Sequence, residues 1–419
     1  MLDPIIVIGA GLAGWSTARE LRKLEPSTPV LLITADSGDF YAKPALSNAL
    51  QHRRTPAQLV TTPAASMAQT HKVRLLAHTR VLAIDVASRT LRSTAGEFRY
   101  RELVLATGAQ PIRLPLAGDA SAQVQSINSL DDFSDFYARL TADAGAGNVP
   151  VNAGVPLQPQ ATREPGTRHV LIMGAGLIGC EFANDLAAAG HQVTVVDPSG
   201  GPMAALLPVA AGAQLQQALA GLGVRWRFGT TVKSVNWAQT EPGLEVELST
   251  GQTTRVDMVL SAIGLRSDVA LAQAAGLVCE RGIVVDATLR TSSPSIYALG
   301  DAAQYASGRW RVADDAAVDS VAGGRTLPYV MPIMSAARAL AATLAGTPTA
   351  VVFPLMPVAI KTPALPIVVA APAPGTPGQW HSEGPGEWQF LDRQQTVRGF
   401  VLTGKQTARR AEQSKLVLA

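Results

Sequence analysis

The sequence predicts an α/β fold with two Rossmann-like dinucleotide-binding units and a C-terminal α+β portion. Three observations lead there. Residues 168–197 pass from a short apolar stretch, His169–Met173, through Gly174-x-Gly176-x-x-Gly179 into an amphipathic run to Ala189, and a second apolar run then ends on Asp197. Residues 5–36 repeat that order, with Ile5–Ile8, Gly9-Ala10-Gly11-Leu12-Ala13-Gly14, a basic helical stretch to about Lys23, and Val30–Thr34 reaching Asp36. The tail, 351–419, alternates strand-like runs with Pro/Gly turns and closes on a charged helical stretch around Thr407–Leu416.

Each element of the repeated order has a physical task. The first glycine makes the strand-to-helix turn, the second lets backbone approach a pyrophosphate, and the third packs helix on strand. The helix start supplies unpaired N–H groups and the positive end of a dipole, and the terminal acid accepts from a ribose hydroxyl. One such motif is weak; two complete copies imply two dinucleotides on one chain. Their joint presence implies electron traffic, most simply from nicotinamide to flavin.

Length and composition set bounds. A chain of 419 residues is too long for one core and fits two or three domains. A net charge of +3 argues against a nucleic-acid footprint. The most apolar stretch, 351–372, is interrupted by Lys361 and several prolines, so no membrane span is expected. The first strand begins almost at once, without a basic leader, and a cytoplasmic protein is expected. Cys180 and Cys279 form no close pair, which argues against a redox disulfide beside a flavin. The six histidines show no metal-ligand spacing.

Between the motifs, Lys43-Pro44 breaks a loop before a short helical stretch, 57–70 is helix-like, and 73–98 reads as short strands with Val81 in one of them. A buried strand, Leu103–Ala106, stops at Thr107-Gly108, a turn whose backbone can press on a cofactor. A helix is expected at Leu130–Leu140, and the stretch 142–166, low in charge and rich in Gly, Pro and Ala, reads as a loosely packed insertion. Further on come a helix at Ala210–Leu222, strand Val224–Phe228, two strand candidates, and a buried strand ended by Gly264. An apolar strand then runs into Gly300-Asp301, 304–326 reads as a polar second insertion, and a helix is expected at 332–345 with Pro332 in its first turn.

The two units, the ATG at 106–108 and YALGD at 297–301 resemble the two-dinucleotide flavoprotein reductases of the glutathione-reductase fold. More closely, ITADSGDFYAKPALS, GAGLIGCEFANDL, YVMPIMSAARALAATLAG and VAIKTP resemble the rubredoxin–NAD(+) reductases that feed alkane hydroxylases, over nearly the whole chain except 142–166 and 304–326. The resemblance implies an FAD domain from 1–116 and 253–330, an inserted NAD domain at 117–252, and an interface domain at 331–419.

Carried over position by position, it implies FAD on Gly9 to Gly14, Asp36, Lys43, Val81, Ala106, Thr107, Gly108, Asp301, Val330 and Lys361. It implies NAD on Gly174, Gly176, Gly179, Glu181, Asp197 and Gly264. Asp197 is followed by Pro198-Ser199-Gly200-Gly201, with no cation for a 2′-phosphate, so NADH is favoured over NADPH. Lys43 and Glu181 are the implied catalytic pair, the lysine near flavin N5 and the carboxylate holding it and helping to place the nicotinamide. The helix near 332–345 would aim its positive end at the flavin.

The function expected is NADH:rubredoxin oxidoreductase, supplying an alkane monooxygenase. Reduction of a ferredoxin or flavorubredoxin, and an NADH-responsive sensor, are the alternatives. A monomer is expected, and an acidic acceptor could contact Arg53-Arg54, Arg338, Arg409-Arg410 or Lys415.

Overall fold

The structure is a computed structural model that describes residues 3–142, 166–240, 242–305 and 324–417. The insertions expected at 142–166 and 304–326 lie, apart from their ends, outside the described residues. The chain forms two compact units. The first comprises Met1–Ala42, Val60–Gln110 and Leu265–Met356; the second comprises Lys43–Leu59, Pro111–Gly264 and Pro357–Ala419.

The first unit is built on a five-stranded sheet in the order Ile296–Ala298, Glu102–Leu105, Ile5–Ile8, Val30–Ile33, Arg74–Leu76. Every neighbouring pair is parallel. Both faces are covered, so the central strands are near-continuous aliphatic runs instead of alternating ones. Strand Ile5–Ile8 has Val30–Ile33 on one side and Glu102–Leu105 on the other. The chain therefore leaves it first one way and later the other, and the glycine turn sits at that switch point, where open α/β sheets bind ligands. Helix Leu12–Leu24 packs against helix Val330–Leu344.

The second unit repeats the plan with Arg225–Phe228, Gln192–Asp197, His169–Met173 and Met258–Ser261, again all parallel. A three-stranded antiparallel sheet, Val232–Trp237, Leu244–Leu248 and Thr253–Val256, shares a core with it through Leu171, Met173, Val196, Val246 and Val259. A five-stranded antiparallel sheet, in the order Val358–Ile360, Ile367–Ala370, Val397–Thr403, Glu387–Asp392, Gly378–Gly384, completes the unit with helix Arg410–Leu416.

Three elements differ from the sequence reading. The helix-like run 57–70 is two helices, Pro56–Leu59 and Ala64–Thr70, separated by strand Val60–Thr62, which pairs with Phe40–Tyr41. Pro63 stands before the second helix and cannot donate to continue the first. Helix Val330–Leu344 starts two residues before Pro332, which still lies in the first turn, where its missing N–H costs nothing. Three strands, not two, occupy the stretch before Met258.

Candidate functional site

The two glycine turns close in the same way. Gly9 has φ +107°, and a Cβ there would stand 2.3 Å from the Ala106 carbonyl oxygen. Gly174 has φ +102°, and its Cβ would meet the Ala262 oxygen at 2.6 Å. In each unit the first glycine thus lies against a neighbouring strand's exit, Ala106-Thr107-Gly108 or Ala262-Ile263-Gly264. The third glycines carry the helix onto the turn: a Cβ on Gly14 would sit 1.8 Å from Gly9 O, and one on Gly179 would sit 2.0 Å from Gly174 O.

The middle glycines differ. Gly11 and Gly176 cap their helices with φ −72° each, no side chain caps the helix N–H groups, and a Cβ at either would touch nothing within 4 Å. Neither helix has an acid in its first turn to compete for the amides. Two exposed, uncapped helix starts fit pyrophosphate groups, whose charge and oxygens satisfy those donors.

Around the first cradle, Asp36 is exposed and its Oδ1 accepts from Thr34 Oγ1 (2.6 Å) and Gly38 N (3.0 Å). Thr107 Oγ1 donates to Asp268 O at 2.8 Å, and the Gly108 carbonyl accepts from Asp268 N at 3.0 Å. The turn at Asp301 is held twice: Ser267 Oγ donates to Asp301 O (2.5 Å), and Gly300 N donates to the Tyr305 hydroxyl (2.9 Å). Gly300, with φ +73°, brings that turn against the first helix, where its Cβ would reach Ala13 Cβ at 3.0 Å. The turn that carries Asp301 is therefore gathered to the glycine motif across more than half of the sequence. Val81 packs on the rim of this core, and Val330 opens its helix 40% exposed. Ser267 and Tyr305 carried no sequence signal.

Around the second cradle, Asp197 holds the turn itself, accepting from Ala175 N (2.6 Å) with one oxygen and from Ser199 N (2.7 Å) with the other. Gly264, φ +114°, is exposed and accepts from Ile112 N at 3.0 Å.

Helix Leu177–Ala188 is buried from Gly179 to Leu186, although it carries Glu181, Asn184 and Asp185. Buried charge is tolerated only when paired or hydrogen-bonded, and all three are engaged. Glu181 is 1% exposed; Oε1 accepts from Lys361 N (2.9 Å), and Oε2 from Ser47 Oγ (2.5 Å) and Lys361 Nζ (3.1 Å). Asn184 Oδ1 accepts from Ala364 N at 3.1 Å. Asp185 accepts from Leu50 N (3.0 Å) and Gln51 N (2.9 Å); burial pushes its carboxyl up, opposed by those amides and that of Ala49. One helix thereby fixes two remote segments, the 3-10 stretch Lys43–Asn48, which starts with Lys43, and the strand end at Lys361. The ammonium 3.1 Å from Glu181 is that of Lys361. Ser47, Asn184 and Asp185 went unnoticed in the sequence, because their partners lie more than 130 positions away.

Neither cysteine is built for redox work. Cys180 is buried and donates to Ala175 O, and burial, with Asp197 and Glu181 adding to it, pushes its thiol far up. Burial also raises Cys279. The nucleophilic thiolate is thus scarce at both. Treating the native protein with iodoacetamide at pH 8 is expected to leave at least nine-tenths of NADH-dependent turnover; a parallel loss of activity with label incorporation would contradict this. Among the described residues no cluster of His, Cys, Asp or Glu is arranged for a metal, and no helix is long and apolar enough to cross a membrane. Of the basic positions considered for docking, Arg409 is held by Glu387 and Glu412, and Arg410 Nη2 donates to Pro357 O at 3.0 Å.

The fold and its two cradles define a reductase of the two-dinucleotide class. The chain belongs to the pyridine nucleotide-disulphide oxidoreductase family, whose model matches residues 3–317. A second model, the rubredoxin binding C-terminal domain, matches residues 350–416. The chain is 38% identical to the rubredoxin-NAD(+) reductase of Alcanivorax borkumensis over 407 residues, 96% of each chain. It is 41% identical to a nitric oxide reductase FlRd-NAD(+) reductase of Aeromonas salmonicida over 352 residues, 84% of this chain and 79% of the relative. In three dimensions it resembles a ferredoxin reductase from Rhodopseudomonas palustris, with a TM-score of 0.80, 25% identity and coverage of 98% and 93%. The resemblance to rubredoxin–NAD(+) reductases read from four short strings therefore holds along nearly the whole chain.

Proposed function

We propose that the protein is an FAD-dependent NADH:rubredoxin oxidoreductase. The observation that carries this reading is the pairing of two open dinucleotide cradles with a C-terminal part that matches a rubredoxin-binding domain. FAD, when bound, supplies the chemistry that turns hydride transfer from NADH into one-electron delivery to an iron protein. The chain's own residues bind and orient. The Gly9–Gly14 turn, Asp36, Ala106–Gly108, Asp301, Val81 and Val330 hold FAD; the Gly174–Gly179 turn, Asp197 and Gly264 hold NADH. Lys43 and Lys361 supply positive charge for the reduced flavin, and Glu181 fixes the lysine side and the nicotinamide. On this reading 1–116 and 253–330 form the FAD domain, 117–252 the NAD domain and 331–419 the interface domain. The protein acts as a cytoplasmic monomer feeding an alkane monooxygenase.

Anaerobic stopped-flow mixing tests the reading. The protein reduced with one equivalent of NADH is mixed with oxidised rubredoxin or, separately, with a ferredoxin. Rapid bleaching of rubredoxin and slow reduction of ferredoxin is the expected result. The acceptor step should slow several-fold between about 50 and 300 mM salt, because screening weakens attraction between a basic docking face and an acidic partner. Flavin reduction by NADH should stay constant. Fast transfer to ferredoxin alone would overturn the reading, and slow transfer to both would favour a sensor. The Aeromonas relative supports a second reading, delivery to a flavorubredoxin, which the same experiment distinguishes with that acceptor.

A further inference from the structure

We infer that the second unit carries an additional site for a small dianion, separate from the nucleotide cradle. A cavity of about 330 Å³ opens between the face of the parallel sheet and the hairpin that joins Leu244–Leu248 to Thr253–Val256. Strand register defines its floor. Leu171 pairs with Thr194 and Thr194 with Arg225; Met173 pairs with Val196 and Val196 with Arg227. Those rows share one face, since side chains alternate along a strand. The inner part of the face is aliphatic and meets Val246 and Leu248 in the core. Toward the edge strand it becomes polar and basic.

The polar groups are set for an anion. Arg225 and Arg227 are exposed, two residues apart on one strand and thus about 6.6 Å apart along it. Among the described residues neither guanidinium meets a carboxylate; the one hydrogen bond from either is Arg227 Nη1 to Trp226 O. Beneath them His169 and Thr194, 6% and 5% exposed, form a polar pair: Nδ1 of the ring donates to Arg255 O (3.0 Å) and Nε2 stands 2.9 Å from the Thr194 hydroxyl, so both ring nitrogens are partnered and the charge an anion meets is that of the two arginines. Gln252 and Thr254 add donors from the hairpin. The Asp257 carboxylate, beside His169 where the neighbouring strand begins, accepts from His169 N at 2.6 Å. Two guanidinium forks suit a compact dianion, one phosphate group bridged by both or a short dicarboxylate with one carboxylate on each.

The site is not the pyrophosphate cradle. His169 and Arg225 open their strands, whereas the glycine turn follows the last residue of His169–Met173. Thr230 Oγ1 and Ser249 Oγ, 2.9 Å apart, join the two sheets at the other end.

Titration calorimetry of the FAD-loaded protein tests this, with inorganic phosphate in one arm and succinate in the other, at constant ionic strength set by chloride. Saturable binding in either arm, weakened at least tenfold by Arg225→Gln with Arg227→Gln and unchanged by saturating NAD(+), is expected. The arm that saturates distinguishes phosphate from dicarboxylate recognition. Both arginines are exposed, so the double variant should unfold at the wild-type temperature. The inference is overturned if neither anion saturates, if the double variant binds as the wild type does, or if NAD(+) displaces the anion.

Discussion

Glu181→Ala is expected to lower stability by roughly 2–3 kcal/mol and to slow NADH-driven flavin bleaching about 100-fold. The carboxylate is 1% exposed and takes three donors, the Ser47 hydroxyl and the backbone and side-chain nitrogens of Lys361. Removing one partner of a buried pair leaves the other charge and the orphaned donors without compensation, at a cost of about 3–5 kcal/mol when both groups are sealed off. The Lys361 side chain is 32% exposed and can turn toward water, which puts the loss at or just below the bottom of that range. The rate effect comes from geometry: the Lys43–Asn48 stretch and the Lys361 strand end both rest on this carboxylate. A displacement of about 1 Å at a reacting centre costs a factor near 100. Glu181→Gln, which keeps the volume and one acceptor, should recover part of the stability but little of the rate. Thermal scans and stopped-flow absorbance at the flavin band measure the two. Wild-type bleaching in the alanine variant would show that this cluster holds the fold and nothing more.

How much of this was legible in the sequence follows from how far each interaction reaches. Both glycine turns, the acids at Asp36 and Asp197 and the strand exit at Ala106–Gly108 are marked by residue types in short strings, although their contacts reach farther, from Asp197 to Ala175 and from Thr107 to Asp268. The partners of helix Leu177–Ala188 are not. The stretch read as amphipathic is in fact buried on all sides from Gly179 to Leu186, so no polar face marks Asn184 and Asp185 as internal polar groups. The 180-residue separation of Glu181 from Lys361 leaves the pairing to tertiary structure. Lys361 could be singled out because a lysine in an aliphatic, proline-rich run needs a partner or water, but no local rule says which carboxylate serves. The strand Val60–Thr62 was hidden for a related reason: three residues between two helical stretches become a strand only when Phe40–Tyr41 offers an edge. Arg409 shows the converse. In the sequence it is one half of a basic pair facing solvent, and in the fold Glu387 and Glu412 take its charge.

The glycines of the second motif permit a test in which two single-methyl changes give opposite results. At Gly176 the backbone has φ −72° and ψ −173°, extended values open to any residue, and an added Cβ meets nothing within 4 Å. Gly176→Ala should therefore fold, retain FAD and unfold within a few °C of the wild type, since the gain from removing a glycine's unfolded-state freedom, about 0.4–1 kcal/mol, is opposed by alanine's weaker helix cap. What it obstructs is the approach of a pyrophosphate to the helix start, so KM for NADH should rise at least tenfold (about 1.4 kcal/mol) with FAD content unchanged. At Gly179 a Cβ would lie 2.0 Å from the Gly174 carbonyl oxygen, and backbone cannot give way there without lifting the helix from its strand. Gly179→Ala should accordingly lose stability by several kcal/mol, in the manner of an overpacked core. Fluorescence titration with NADH, flavin content by absorbance and thermal unfolding, run side by side, separate the two. If Gly176→Ala binds NADH as tightly as the wild type, the pyrophosphate does not sit on that helix start, and the assignment of Gly174–Gly179 to the nicotinamide nucleotide fails with it.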